Sequence, residues 1–146
     1  MPVIGVRIDK IEAQRNPQIR AEGKIRVAPL PRILAIQENQ MQGTTGRINV
    51  LEAAFEYTAN YDPALGNITT QGTVIFQAGE KERKDALRQW QEERKLPQNL
   101  GQEIMFAMTQ RAFLILMNMA REVGLPSPMQ VSVTPQRVEE EEKPGK

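Results

Sequence analysis

Glu52 and Glu56 stand two pleats apart in a stretch whose apolar residues alternate, with Ala54 between them. Alternation of that kind puts both carboxylates on one face of a strand. Paired carboxylates can share acid–base work or hold a hard cation. Here the pair has no companion. The chain contains no His and no Cys, which removes imidazole chemistry, thiol nucleophiles, disulfides and Cys/His zinc sites. The two serines, Ser127 and Ser132, have no histidine to activate them. No GxxxxGK[ST], GxGxxG or GxSxG occurs, and the glycines are scattered in turns, so no phosphate cradle is visible. A solvated strand face therefore accounts for Glu52 and Glu56. Glu139–Glu142 would attract cations weakly and reads as an acidic solubilising tail. The expectation is a non-enzymatic protein with no catalytic residue, metal or cofactor.

A second set of residues could bind nucleic acid. Arg15, Arg20, Lys24, Arg26 and Arg32 make the first part of the chain basic, while the remainder leans acidic. Net charge is only +1, too little for a global field that steers polyanions. Sheet platforms that bind single strands use exposed aromatics. The aromatics sit mostly on the alternation face that should pack inward, as Phe55, Tyr57, Tyr61 and Phe76 do. This leaves an accessory subunit of a ribonucleoprotein or ribosome-type assembly as the alternative reading.

The third set is methionine. Met105, Met108, Met117, Met119 and Met129 cluster late in a chain with seven in all. Methionine fills cores, and it is also over-used on adaptable binding surfaces. The first four belong to Pro97–Pro128, which predicts one long helix from Gln98 to Val123, and Met129 lies just past it. Pro97 stands at its start, Gly124 sits where a C′ glycine belongs, and Pro126 follows. Its middle, Ala112–Met119, is apolar on nearly every side, so one sheet cannot cover it. The stripe expected to need a partner comprises Met105, Met108, Ala112, Ile115, Leu116 and Met119. That partner is a second copy of the chain or an unfolded or extended polypeptide client.

The remaining elements position this helix. Val3–Ala13 alternates, with a change of phase that predicts a β-bulge near Asp9–Lys10. Lys24–Glu38 is extended, and Pro29 and Pro31 mark it as an edge strand or a break. Asn39–Gly46 is expected as a polar loop. Arg47–Tyr61 is the strongest strand, with Leu51, Ala53, Phe55, Tyr57, Ala59 and Tyr61 on one face and a second bulge expected near Val50–Leu51. Asp62–Asn67 is turn chemistry. Ile68–Gln77 then pairs back in a long hairpin, with Gly72 marking a bend or a close backbone approach. Glu80–Lys95 reads as a first, amphipathic helix touching the core through Leu87 and Trp90, ended by Leu96-Pro97. Val131–Thr134 is a short extended piece.

Strands first and helices last predict an α+β fold: an antiparallel four-stranded bulged sheet followed by two helices packed on one face. At 146 residues the chain is one domain, residues 1–138, with a disordered acidic tail at 139–146. The N-terminus lacks the basic start and long apolar run of a signal peptide. The longest apolar run, Ala112–Met117, is far short of a bilayer span, so no membrane insertion and a cytoplasmic location are expected.

This layout resembles the SecB-like fold and a set of uncharacterised archaeal proteins that share it. The residues that carry the likeness are Phe55-Glu56-Tyr57 and Tyr61-Asp62-Pro63 on the hairpin, Trp90, Leu96-Pro97, and Gly124-Leu125-Pro126-Ser127-Pro128. The resemblance implies a homo-oligomer, dimer or tetramer, whose final helices pack between subunits and whose surface grooves hold unfolded polypeptide. Bacterial export chaperones of this type are strongly acidic, whereas this chain is nearly neutral.

Overall fold

A computed structural model describes residues 3–20 and 23–128. The strictest alternation in the chain becomes its central strand pair. β3 (Gly46–Asp62) and β4 (Gly66–Gln77) form an antiparallel hairpin. Leu51 lies opposite Phe76, Ala53 opposite Val74, Phe55 opposite Gly72 and Ala59 opposite Ile68. All of these are buried, and the alternate residues Glu52, Ala54, Glu56 and Thr58 are half-exposed on the other face. Gly72 marks a close approach. A Cβ there would sit 2.3 Å from the Arg7 carbonyl oxygen and 2.9 Å from Phe55 Cζ. The missing side chain lets the Phe55 ring lie against β4 while the first strand packs beside it.

β1 (Val3–Arg15) pairs with β4, and β2 (Arg26–Gly43) pairs with β3, giving the order β1-β4-β3-β2. Every pairing is antiparallel. β1 and β2 are therefore the two sheet edges, joined by a connection whose Ile19 and Ile25 pack on the core. The bulge expected near Asp9–Lys10 is present, as a register shift between Ile8 and Lys10. A further shift lies between Val3 and Gly5. Of the two readings of Pro29 and Pro31, the edge strand holds: β2 runs through them in register with Ala59 and Tyr57. Two expectations need correction. Asn39–Gly46 is not a loop, because β2 and β3 stay paired as far as Gly43 and Gly46. Register across Val50–Leu51 is unbroken. The irregularity sits on the partner strand, between Ile33 and Ala35.

α1 (Glu80–Glu93) begins with Glu80 and Glu82 in its first turn, where carboxylates favour the positive end of the helix. The Gly79 N–H donates to Glu82 Oε1 at 3.2 Å. The helix ends at Arg94 in a left-handed conformation. Arg83 anchors it to β2 by donating to Glu38 Oε2 at 2.7 Å.

α2 (Gln98–Glu122) lies on the same sheet face. Leu100, Ile104, Met108, Ala112, Leu116 and Ala120 are its buried residues. Their uniform spacing of four makes one ridge along the helix. The upper half of the ridge packs with Leu51, Phe55, Val74, Phe76 and Ala86, and the lower half with Tyr57, Ala59, Tyr61, Leu65 and Ile68. Each larger ridge side chain contributes about 2 kcal/mol by burial, so together they fix which way the helix faces. Gly124 takes φ +75° just past the helix, and the Leu125 N–H closes back on the Ala120 carbonyl at 2.7 Å. The Tyr61 hydroxyl donates to the Pro126 carbonyl. Burial pushes this phenol up to about 12, so it keeps the proton it donates at neutral pH. Met129, Val131–Thr134 and Glu139–Glu142 lie outside the described residues.

Candidate functional site

The sheet face away from the helices carries Glu52 and Glu56 in a cross-strand polar ladder. Glu52 accepts from the Gln37 amide at 3.1 Å and the Asn39 amide at 3.3 Å. Glu56 accepts from the Gln71 amide at 3.0 Å and lies 3.9 Å from the Arg32 guanidinium. Thr58 and Thr69 hydroxyls meet at 3.4 Å one row further along. Near the β1 bulge, Arg7 donates to Asp9 at 2.8 Å and to Thr73 at 3.1 Å, and Thr73 donates to the second Asp9 oxygen at 3.1 Å. These hydrogen bonds hold the Asp9 carboxyl below its usual range, against a smaller opposing effect of burial. The carboxylates on this face are thus engaged by neighbouring strands, as in a solvated sheet held by cross-strand pairs. Among the described residues no group of three acidic side chains is placed to hold a metal ion.

The basic residues do not converge. Arg26 and Arg32 stand opposite Asp62 and Glu56, so they share the ladder face. Arg15 lies at the end of β1 on the opposite face, its Nη1 at 3.1 Å from where a Cβ on Gly124 would be. Arg20 and Lys24 are exposed on the connection between β1 and β2.

The α2 stripe divides. Met108, Ala112 and Leu116 are fully buried against the chain's own sheet, so they need no partner, contrary to expectation. The reason is the spacing-of-four ridge, which already turns them inward. Ile115 and Met119 are half-buried, and Met119 packs against the lower core. Met105 is exposed. The apolar surface left uncovered on α2 is centred instead on Phe106 and Leu114, at 65% and 62% exposure.

Two grooves flank this helix. One, of about 520 Å³, lies between α2 and β1 and is lined by Val3, Val6, Phe106, Ala107 and Leu114 among others. Exposed Ile4 and Ile11 belong to the same strand. The other, of about 620 Å³, lies where α1 ends and α2 begins, against β2. Its apolar walls are Ile33, Trp90, Leu96 and Met105. Arg94 stacks over Trp90 with 5.8 Å between guanidinium carbon and ring centroid. Of the groove residues named here, Met105 alone belongs to the expected stripe. The legible signal was Leu100 and Ala120, which extend the buried ridge in both directions and place Phe106 and Leu114 away from the sheet.

Among the described residues no helix is long and apolar enough to cross a membrane. No family model matches the chain, and no curated protein or solved structure matches it either.

Proposed function

We propose that this chain is a non-enzymatic, SecB-like polypeptide-binding protein that acts as a homo-oligomer. The observation that carries the reading is the uncovered apolar surface on both flanks of α2. Isolated exposed apolar residues need no explanation, but contiguous ones beside a groove mark interaction surfaces. The two flanks suit different occupants.

On the β1 flank the occupant is a second copy. β1 is an edge strand, and its unpaired backbone groups can pair with an identical strand antiparallel about a two-fold axis. That operation would place the Phe106–Leu114 ridges of two protomers on the same side of a joined sheet. On the α1 flank the occupant is an extended segment of another polypeptide, whose side chains enter between Trp90, Leu96, Ile33 and Met105.

The test uses a client enzyme that aggregates on heating, followed by light scattering with the full chain present in increasing excess. Suppression at near-stoichiometric ratio is expected. No suppression at tenfold excess would remove the chaperone reading. Mass in solution, by sedimentation, should exceed that of one chain.

A further inference from the structure

The cleft at the α1–α2 corner is apolar inside and cationic at its rim. Ile33, Trp90, Leu96 and Met105 make the walls, and Arg94 and Lys95 are its charged lining residues. Both are exposed. Among the described residues neither of the two makes an ion pair, and no acid lines the cleft. The remaining polar lining is the amides of Gln98 and Gln102. The first turn of α2, which borders the cleft, holds no acidic residue. Some other surface cations among the described residues are paired, Arg7 with Asp9, Lys84 with Glu80 and Arg88 with Asp85, and others are not. What sets Arg94 and Lys95 apart is the apolar wall beside them, which strengthens any charge contact made against it.

We infer that this cleft selects polypeptide segments in which an aromatic or large aliphatic residue is flanked by carboxylates. The inference rests on the polypeptide-binding reading above and adds the chemistry of the client. The apolar anchor would fill the space beside Trp90 and Met105. A flanking Asp or Glu would meet Arg94 and Lys95, with the Arg94 guanidinium already held over the indole and able to present a fork of donors. Lysine or arginine in the flank would meet like charge, so the same rim rejects as well as attracts.

Two labelled synthetic peptides test this, each with the same Leu-Phe-Leu centre, one flanked by Asp and the other by Lys. Their binding to the full chain is measured by fluorescence anisotropy at low and at moderate salt. The Asp-flanked peptide should bind roughly tenfold more tightly at low salt, with the gap narrowing as salt screens the rim. In the double variant Arg94→Glu, Lys95→Glu, checked for native circular dichroism, the preference should reverse. Equal binding of the two peptides, or a preference for the Lys-flanked one, would overturn the selectivity while leaving polypeptide binding intact. An unchanged preference in the double variant would also overturn it, because the selection would lie elsewhere. Binding of neither peptide would remove both the inference and the polypeptide-binding function it rests on. The salt dependence provides a readout that needs no variant.

Discussion

The two edges of the sheet are built differently. β2 carries Pro29 and Pro31, two residues apart in an unbroken ladder with β3. A proline nitrogen has no hydrogen to give, so both must face away from β3, toward the free edge. Over that stretch β2 offers an incoming strand two fewer donors. The irregularity between Ile33 and Ala35 disturbs the edge again shortly after. α1 also leans on this side, through Arg83 and Glu38. β1 has no proline between Val3 and Arg15. From Lys10 to Arg15 its register with β4 is continuous, and the exposed Phe106–Leu114 ridge lies along its flank. Both edges carry irregularities, β1 between Val3 and Gly5 and between Ile8 and Lys10, but β1 has no proline and keeps a continuous run from Lys10 to Arg15. That run is the part of the edge the proposed self-association would use.

The largest expected effects separate the inner and outer sides of α2. Leu116→Glu places a charge in the lower core, where Leu116 is 1% exposed. An unpaired buried charge costs about 3–5 kcal/mol, so this variant should unfold, by circular dichroism and urea titration. It therefore says nothing about assembly. Phe106→Glu with Leu114→Glu changes residues already in solvent. It should leave the urea midpoint within about 0.5 kcal/mol of wild type per site while reducing the mass to one chain. A double variant that keeps its mass would show that the β1 flank is not the interface.

Gly72→Val comes next. Its side chain would push into the Arg7 carbonyl and the Phe55 ring, at the point where β1 meets β4. Overpacking there should cost about 3 kcal/mol, read in the same urea titration. Hydrogen exchange should show protection lost in β1 before β2. Equal loss on both edges would mean that β1 is no more separable than β2.

Much of this architecture was legible because it is local. The alternation of β3 and β4, the Leu96-Pro97 break and the Gly124 stop each depend on neighbours in sequence. The Asp9 bulge was legible for the same reason, since polar Arg7, Asp9 and Lys10 expose the change of phase. The shift beside Ile4 was hidden, because Val3, Ile4 and Val6 are apolar on either side of it. Val50 and Leu51 misled in the opposite way. Both are buried in an unbroken register, so two adjacent apolar residues mimicked a bulge. The helix stripe was misplaced because a helix that is apolar nearly all round does not say which side meets the sheet. That choice is made by the partner surface, Phe55, Phe76 and Ile68, which lies far away in sequence. The pairing of β1 with β4 is likewise non-local and left no mark in either strand. The cationic cleft unites Ile33, Trp90 and Met105, three residues that no sequence spacing would group.

Pro29→Val with Pro31→Val tests the proline-bearing edge from the other side. Stability should change by less than about 1 kcal/mol, because valine suits a strand and the ladder with β3 is kept. The free edge would regain two donors. Light scattering should then show growth beyond the wild-type assembly as concentration rises. If the variant keeps the wild-type mass at every concentration, the prolines are not what keeps β2 single.

The smallest effect concerns the bulge in the β1 edge. Asp9 is the extra residue between Ile8 and Lys10, and its carboxylate is tied to Arg7 and Thr73. Those bonds favour the charged form, so the folded-state value lies below the unfolded one of about 3.9. A lowered value means that the stabilisation is fully present above the unfolded value and is lost as pH falls through the folded one. Both partners are about half exposed, with side chains at 54% and 45%, so solvent reduces the contribution to about 0.5 kcal/mol. Comparing wild type with Asp9→Asn by urea titration should show that small difference at pH 7 and its progressive loss as pH falls below the unfolded value. If the bulge also sets the line of the β1 edge, loosening it should weaken self-association at pH 7 more than it lowers stability. A variant that lost stability without any change in its dimerisation constant would mean that the edge pairs only through the straight run from Lys10 to Arg15.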